Sequence, residues 1–251
     1  MNDGLTLVFK GRVFPEILEA SIEVDNKIFY ADPNGPEGEF DIDISRGVIT
    51  VIVKVNADDA QIKSWALVRA KELVTSIVDL YAFTLGYALQ VLMDHAVEGG
   101  VKKPLIISHS SVKNYISDYS DEQFKKLMEL VAFDLDLKLA LRDLILSLST
   151  MNYSAIAACR AMEAIRNKFR KVDEADNKAW KKMRDTLKIS RDYIQFVTDA
   201  SQMPRHGHRG AALLYDQSDI THRAWSIMDR YFNYLLLGQP KYLPDEFILL
   251  E

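Results

Sequence analysis

The period of the hydrophobic pattern changes along this chain, and that change constrains the fold more than any other feature. Residues 40–44 alternate between apolar and acidic side chains, and residues 48–55 are almost all β-branched. Both patterns are typical of strands. From Ser120 onward the apolar residues recur at helical spacing. We therefore expect an α+β protein, with an N-terminal antiparallel β-sheet and a covering helix, followed by an all-α helical bundle.

Several short strands are expected in the first 56 residues, beginning at Leu5. The segments 22–24 and 27–30 flank Asp25-Asn26, a pair that favours a tight hairpin turn. A helix should then start at Asp58-Asp59 and end or kink at Gly86. A further hairpin is expected around Gly99-Gly100, with strands at 88–96 and 104–108.

The remaining chain is predicted to be helical, which gives two domains, 1–118 and 119–251. Ser120 is a good N-cap for an apolar stripe that runs to Leu148, with a break near Phe133. The apolar tail at 240–251 is expected to pack on its own protein or on a subunit partner, and a homodimer is expected. Three more helices are expected at about 153–171, 178–200 and 218–237, with a loop at 202–210.

Charge and composition bear on the partner and the compartment. The one cysteine, Cys159, cannot form an internal disulfide, and no stretch has the length and apolar character of a secretory signal or a membrane helix. We therefore expect a cytoplasmic protein with no membrane partner. The net charge is -5, but residues 160–191 hold 11 basic and 5 acidic residues. A locally basic region on an acidic protein indicates an anionic partner such as RNA or a nucleotide.

The basic loop after Pro204 is the most unusual feature of the sequence. Arginine suits phosphate because it donates several hydrogen bonds in a fixed fork, and histidine transfers protons near neutral pH. We predict Arg205, His206 and His208 as catalytic residues of an anion site. The alternative is an inert solvated loop that caps neighbouring helices. The predicted additional binding residues are Arg209, His222 and Arg223.

Two further charged patterns have a structural and a functional interpretation. Arg160, Glu163 and Arg166 follow one another at spacings of three, which is typical of an intrahelical ladder of ion pairs. In the functional interpretation they are binding residues, and Glu163 orients an arginine toward the 205–209 loop. Residues 181–191 carry a basic stripe that is either a solvated helix face or a track for phosphates. The stripe consists of Lys181, Arg184, Lys188 and Arg191.

Several other chemistries receive little support. The chain has no phosphate loop, no Gly-x-Gly-x-x-Gly, no His-Glu-x-x-His and no Gly-x-Ser-x-Gly. A metal-dependent hydrolase is a third, low-ranked alternative, but the neighbouring arginines argue against a cation, so we expect no metal and no cofactor. Cys159 is expected in the core. The metal ligands in that alternative would be His206, His208, Asp216, Asp219 and His222.

Helix order and the pair Arg166-Asn167 give residues 119–238 a resemblance to the HEPN superfamily of helical bundles, many of which cut RNA or bind nucleotides. The family pattern is Arg-Asn, three residues, then His, whereas Lys171 stands at the histidine position here. The resemblance therefore implies an RNA- or nucleotide-binding module, or a ribonuclease, whose usual active site is either absent or rebuilt. For the rebuilt form, we expect the Arg205–His208 loop to be the substitute. The alternative is a non-catalytic protein–protein interaction or dimerisation protein.

Overall fold

The chain divides into two compact units, Met1–Ile106 and Ile107–Glu251. The first is a sheet with a covering helix and the second is helical, so the predicted α+β class is confirmed. Residues 112–118, assigned by prediction to the first domain, lie in the second unit. The computed structural model describes residues 5–32, 36–56, 60–105, 112–149, 153–208 and 216–251.

The sheet unit contains six antiparallel strands in the order β2-β3-β4-β1-β5-β6. The central strand β1 pairs with both β4 and β5. A Cβ atom at Gly11 would collide with the carbonyl oxygen of Leu92, so the shift in register between β1 and β5 requires glycine there. The strands are β1 Leu5–Phe14, β2 Ile28–Ala31, β3 Glu37–Ser45, β4 Val48–Val55, β5 Gln90–Glu98 and β6 Val101–Pro104.

The hairpin predicted around Asp25-Asn26 is wrong. Ile22 forms an isolated bridge with Ile44, and β2 pairs with β3 between Ile28 and Ala31. The two segments therefore follow one another along the same edge of β3 and cannot pair with each other. The hairpin predicted around Gly99-Gly100 is confirmed, as β5 and β6. Its second strand ends at Pro104, where the predicted strand 104–108 begins, and residues 106–108 lie outside the described residues.

Helix α1, Ala60–Leu85, packs small side chains on the sheet. Its buried residues recur every four positions, and they face a layer of apolar strand residues that includes Phe40 and Val51. Small side chains allow the helix to approach the sheet closely. Leu80, in the last part of the helix, is 67% exposed. The predicted start at Asp58-Asp59 lies outside the described residues. The buried stripe consists of Ala66, Ala70, Val74, Val78 and Ala82.

The helical unit surrounds one central helix, α4. Its buried face includes Ala158, Met162 and Ile165, which lie in a core shared with α3, α6 and α7. The predicted break near Phe133 is confirmed, and Ser120 forms a capping box with Gln123. No helix within the described ranges combines the length and apolarity needed to cross a bilayer. The helices are α2 Asp121–Phe133, α3 Leu135–Ser149, α4 Ser154–Lys168, α5 Asp176–Leu187, α6 Arg191–Arg205 and α7 Gln217–Leu236.

The helix predicted at 178–200 is two helices. Lys188 adopts a left-handed conformation with φ of 53°, which ends α5, and Ser190 caps the start of α6. The predicted basic stripe is therefore wrong, because Lys188 and Arg191 do not continue the helix that carries Lys181 and Arg184. Helix α6 also extends through Pro204 to Arg205, into the segment predicted as a loop.

The C-terminal tail packs on its own unit. The Leu243 amide donates to the Thr186 carbonyl at 3.0 Å, and the Leu250 amide donates to the Lys188 carbonyl at 3.0 Å. The Ser190 amide in turn donates to the Leu250 carbonyl at 2.8 Å. The tail thus holds the turn between α5 and α6, which is the first of the two placements expected from its sequence.

Candidate functional site

Three charged residues of α4, at positions 160, 163 and 166, each pair with a different helix. Arg160 forms an ion pair with Asp143 of α3 at 3.2 Å, and Arg166 binds Asp176 of α5 at 3.1 Å. Glu163 binds an arginine of α6. The intrahelical ladder expected from the spacing is therefore wrong, because each of these side chains pairs with a neighbouring helix.

The partner of Glu163 is Arg205, at the end of α6. The guanidinium donates from Nη1 to Oε1 and from Nη2 to Oε2, both at 3.0 Å. This two-bond geometry fixes the plane of the guanidinium. The hydrogen bond from Glu163 raises the pKa of Arg205. The side chains are 33% and 32% exposed, so the pair lies at the surface of the helical unit.

His206 and His208 follow Arg205 directly and are both exposed. The His206 amide donates to the carbonyls of Gln202 and Met203, which ends α6, and the His208 amide donates to Met203 at 3.1 Å. Gly207 has φ of 90°, a left-handed conformation that glycine adopts without strain. The backbone bonds thus fix the main chain of the turn that carries both histidines after Arg205, whereas the predicted binding residue Arg209 lies outside the described residues.

Cys159 lies one helical turn before Glu163 on α4. The thiol is buried, with Sγ 3.9 Å from Oε1 of Glu163, and burial raises its pKa. A raised pKa disfavours the reactive thiolate. The prediction that Cys159 belongs to the core is therefore confirmed.

His222 and Arg223, on α7, make contacts with aromatic rings. The imidazole of His222 stacks on Tyr115 with ring centroids 4.6 Å apart. The guanidinium of Arg223 lies over the rings of Tyr193 and Phe196, at 4.7 and 4.5 Å. Both residues therefore contribute to packing through contacts with aromatic rings. Their role in an anion site stays a prediction.

Ion pairs neutralise much of the basic region at 160–191. Lys182 binds Glu174 at 2.7 Å, Lys181 binds Asp185 at 2.5 Å, and Arg170 binds Asp176 at 3.2 Å. Surface pairs of this kind reduce the field available for a distant phosphate backbone. The excess of basic residues is therefore weaker evidence for an anionic partner than the sequence indicates.

No three His, Cys, Asp or Glu side chains within the described part of the chain lie close enough together to hold a metal ion. His206 and His208 are in that part, as are Asp216, Asp219 and His222. The third alternative, a metal-dependent hydrolase, therefore gains no support from the geometry.

A partly buried polar cluster around Asp229 of α7 was not anticipated from the sequence. Its carboxylate accepts from the Ser117 amide at 2.8 Å, from the Tyr119 hydroxyl at 2.5 Å and from Asn233 Nδ2 at 3.1 Å. Burial and the carboxylate raise the pKa of Tyr119, which keeps its hydroxyl protonated. Because Ser117 and Tyr119 lie more than a hundred residues before Asp229, no local pattern could reveal this cluster, which attaches the segment before α2 to α7.

The chain matches two family models. The first describes the N-terminal domain of a domain of unknown function, DUF8168, and matches residues 7–104, while the second describes the DUF8168 C-terminal domain and matches residues 124–236. No curated protein and no solved structure matches the chain significantly. Because the two models are the consecutive domains of one family and together match most of the sequence, this chain belongs to the DUF8168 family.

Proposed function

We propose that the helical unit binds RNA or a nucleotide by its phosphate at the end of α6. The observation that supports this is the two-bond pair between Glu163 and Arg205, which holds an exposed guanidinium in a defined plane. A guanidinium has five N–H donors, and the pair uses two of them. Arg205 therefore keeps donors for a phosphate oxygen without leaving Glu163.

His206 and His208 would supply proton transfer in the enzymatic form, a ribonuclease of the kind that the HEPN resemblance implies. One imidazole would take the proton of a ribose 2′-hydroxyl, whose oxygen attacks the adjacent phosphorus and breaks the bond to the 5′-oxygen. The other imidazole would give a proton to that leaving oxygen. The products are a 2′,3′-cyclic phosphate and a free 5′-hydroxyl, and Arg205 would stabilise the charge that develops on the phosphate.

Binding and cleavage of labelled single-stranded RNA over a salt titration test this proposal. The site variant replaces Arg205, His206 and His208 with alanine. The control replaces the exposed Lys171 and Lys178 with alanine and removes more formal charge. We expect the wild type and the control to bind in a salt-sensitive manner and the folded site variant to lose binding. Absence of binding by the wild type at low salt, or equal binding by the site variant, would contradict the proposal.

Single substitutions separate binding from cleavage. We expect His206→Ala and His208→Ala to keep most RNA affinity, because Arg205 remains, and to lose cleavage by about a hundredfold or more. Circular dichroism of each variant checks that the helical unit is folded. If both single variants cleave RNA at the rate of the wild type, the histidines have no catalytic role and a pure binding function remains.

A non-catalytic interaction or homodimerisation protein is the second candidate, and exposed apolar side chains on α2 and α3 favour it. Phe133 is 92% exposed, and Leu139, within the apolar stripe that runs to Leu148, is 51% exposed. Exposed apolar surface of this kind is typical of protein contacts. The other exposed residues are Phe124, Met128 and Leu135.

Light scattering of the wild type and of a Leu135→Glu, Leu139→Glu variant tests dimerisation. We expect a dimer mass for the wild type and a monomer mass for the variant, because each buried carboxylate would disfavour the contact. A wild type that stays monomeric at high concentration would rule out dimerisation through these helices.

We also propose that the protein is cytoplasmic. Cys159 is a free, buried thiol. Free thiols are typical of reducing compartments, where disulfides are rare.

A further inference from the structure

A small cavity of about 190 Å³ lies between the end of α2, the start of α3 and the ends of α4 and α7. Aromatic side chains form part of its wall, and two charged groups and an amide provide polar atoms. The volume is below the roughly 300–1,000 Å³ of sites for drug-sized ligands, so the cavity suits one ring system. The lining residues include Asp134, Lys168, Phe169, Tyr231, Tyr234 and Gln239.

Three aromatic rings cluster at this cavity. The ring centroid of Phe169 lies 6.0 Å from that of Tyr231 and 5.5 Å from that of Tyr234, and the two tyrosine rings are 5.9 Å apart. Tyr231 is buried, whereas Phe169 and Tyr234 are partly exposed. A partly exposed aromatic ring offers a face on which a flat ligand can stack.

The polar edge of the cavity pairs a donor with an acceptor. Lys168 Nζ lies 2.7 Å from Asp134 Oδ1 and 2.9 Å from Asp136 Oδ2. An ammonium has three N–H donors, so one remains after these two bonds. The Leu137 amide also donates to Oδ1 of Asp134, so both lone pairs of that oxygen are used and the remaining acceptor capacity lies on Oδ2. The edge therefore presents one N–H donor of Lys168 beside one acceptor oxygen of Asp134.

We propose that this cavity binds a nucleobase, and that it prefers guanine. The Watson–Crick edge of guanine carries the O6 acceptor beside the N1–H and N2–H donors, an order that matches an ammonium beside a carboxylate. The base would stack on the aromatic wall while Lys168 donates to O6 and the two lone pairs of Asp134 Oδ2 accept from N1–H and N2–H. Adenine, cytosine and uracil lack this combination of one acceptor next to two donors.

The cavity is distinct from the Arg205 site. Lys168 and Glu163 are five residues apart on α4, a rise of about 7.5 Å, and they lie on different faces of the helix. The inference therefore goes beyond the proposed phosphate site and holds or fails independently of it.

Calorimetric titration of the full chain with the four ribonucleosides tests this inference. Nucleosides carry no phosphate, so the Arg205 site does not contribute. We expect guanosine to bind at least about tenfold more tightly than adenosine, cytidine or uridine. Tyr234→Leu keeps apolar volume but removes the ring, and it should weaken guanosine binding about tenfold. The control Tyr242→Leu, at an exposed tyrosine of the tail, should leave binding unchanged.

Asp134→Asn provides a second variant that preserves the fold. Asparagine can still cap α3 by accepting from the Leu137 amide, but it loses the carboxylate that would accept from guanine. We expect the preference for guanosine to disappear in this variant. Absence of guanosine binding by the folded wild type, or binding that neither Tyr234→Leu nor Asp134→Asn changes, would overturn the inference, whatever the RNA titration of the Arg205 site shows.

Discussion

Replacement of Asp229 with alanine should lower the free energy of unfolding of the helical unit by about 3 kcal/mol. Four hydrogen bonds reach this carboxylate: the Ser117 amide and the Tyr119 hydroxyl donate to Oδ1, and the Ser117 hydroxyl and Asn233 Nδ2 donate to Oδ2. Alanine removes the acceptor for all four donors. This single substitution therefore removes all of the hydrogen bonds to the carboxylate at once.

The magnitude follows from the burial of the donors. A hydrogen bond to a charged group contributes about 1.5–3 kcal/mol, so four independent bonds would exceed the stability of many domains. The cluster is only partly buried, and water can replace the acceptor for some of the donors. Loss of about two bonds without replacement gives the value of about 3 kcal/mol.

Urea unfolding followed by tryptophan fluorescence measures this loss. Trp65 belongs to the sheet unit, whereas Trp180 and Trp225 belong to the helical unit, so a Trp65→Phe background reports on the helical unit alone. With a slope of about 2 kcal/mol/M, we expect the midpoint to fall by about 1.5 M.

Asp185→Ala is the matched control, because Asp185 forms an exposed pair with Lys181 of the same helix. This control substitution should lower the free energy of unfolding by less than about 0.5 kcal/mol. A loss for Asp229→Ala as small as that of Asp185→Ala would refute the reasoning, since it would mean that the Asp229 cluster does not form in solution.

A double-mutant cycle with alanine at Glu163 and Arg205 should give a coupling of about 0.5–1 kcal/mol in urea unfolding, and a coupling near zero would show that the pair is not formed. The hydrogen bonds from Lys103 and Lys63 lower the pKa of Glu98 from 4.5 to about 2. A lowered pKa in the folded state stabilises the sheet unit above pH 4.5, so its free energy of unfolding should fall as the pH drops from 4.5 to 2. The fall should be smaller in the Glu98→Gln variant, and unfolding followed by the fluorescence of Trp65 measures it. The thiol of Cys159 should react with a thiol reagent about a hundredfold more slowly in the native protein than in urea, and equal rates would contradict its burial.

The local elements could largely be predicted, because their signals lie within short segments. Gly86 follows the end of α1, Ser120 caps α2, and the β-branched run of β4 forms a strand. Each depends on the chemistry of neighbouring residues, which a single sequence displays.

The errors arise where distant segments decide the outcome. Asp25-Asn26 is not a hairpin turn because β3 pairs with the segments on both sides of it. Lys188 ends α5 in a left-handed conformation that its residue type does not indicate, and the tail that packs there lies more than 50 residues away. In the candidate site, the spacing of Arg160, Glu163 and Arg166 could not reveal partners on three other helices.

Three ion pairs join the central helix α4 to its neighbours in the helical unit. Arg160, Glu163 and Arg166 attach α4 to α3, α6 and α5 respectively, and each bond depends on the rotation and the axial position of α4. A slip of α4 by one residue would break all three bonds together. The amides of α4 should therefore exchange with solvent only through opening of the whole bundle, which makes this helix the place to read its global stability by hydrogen exchange.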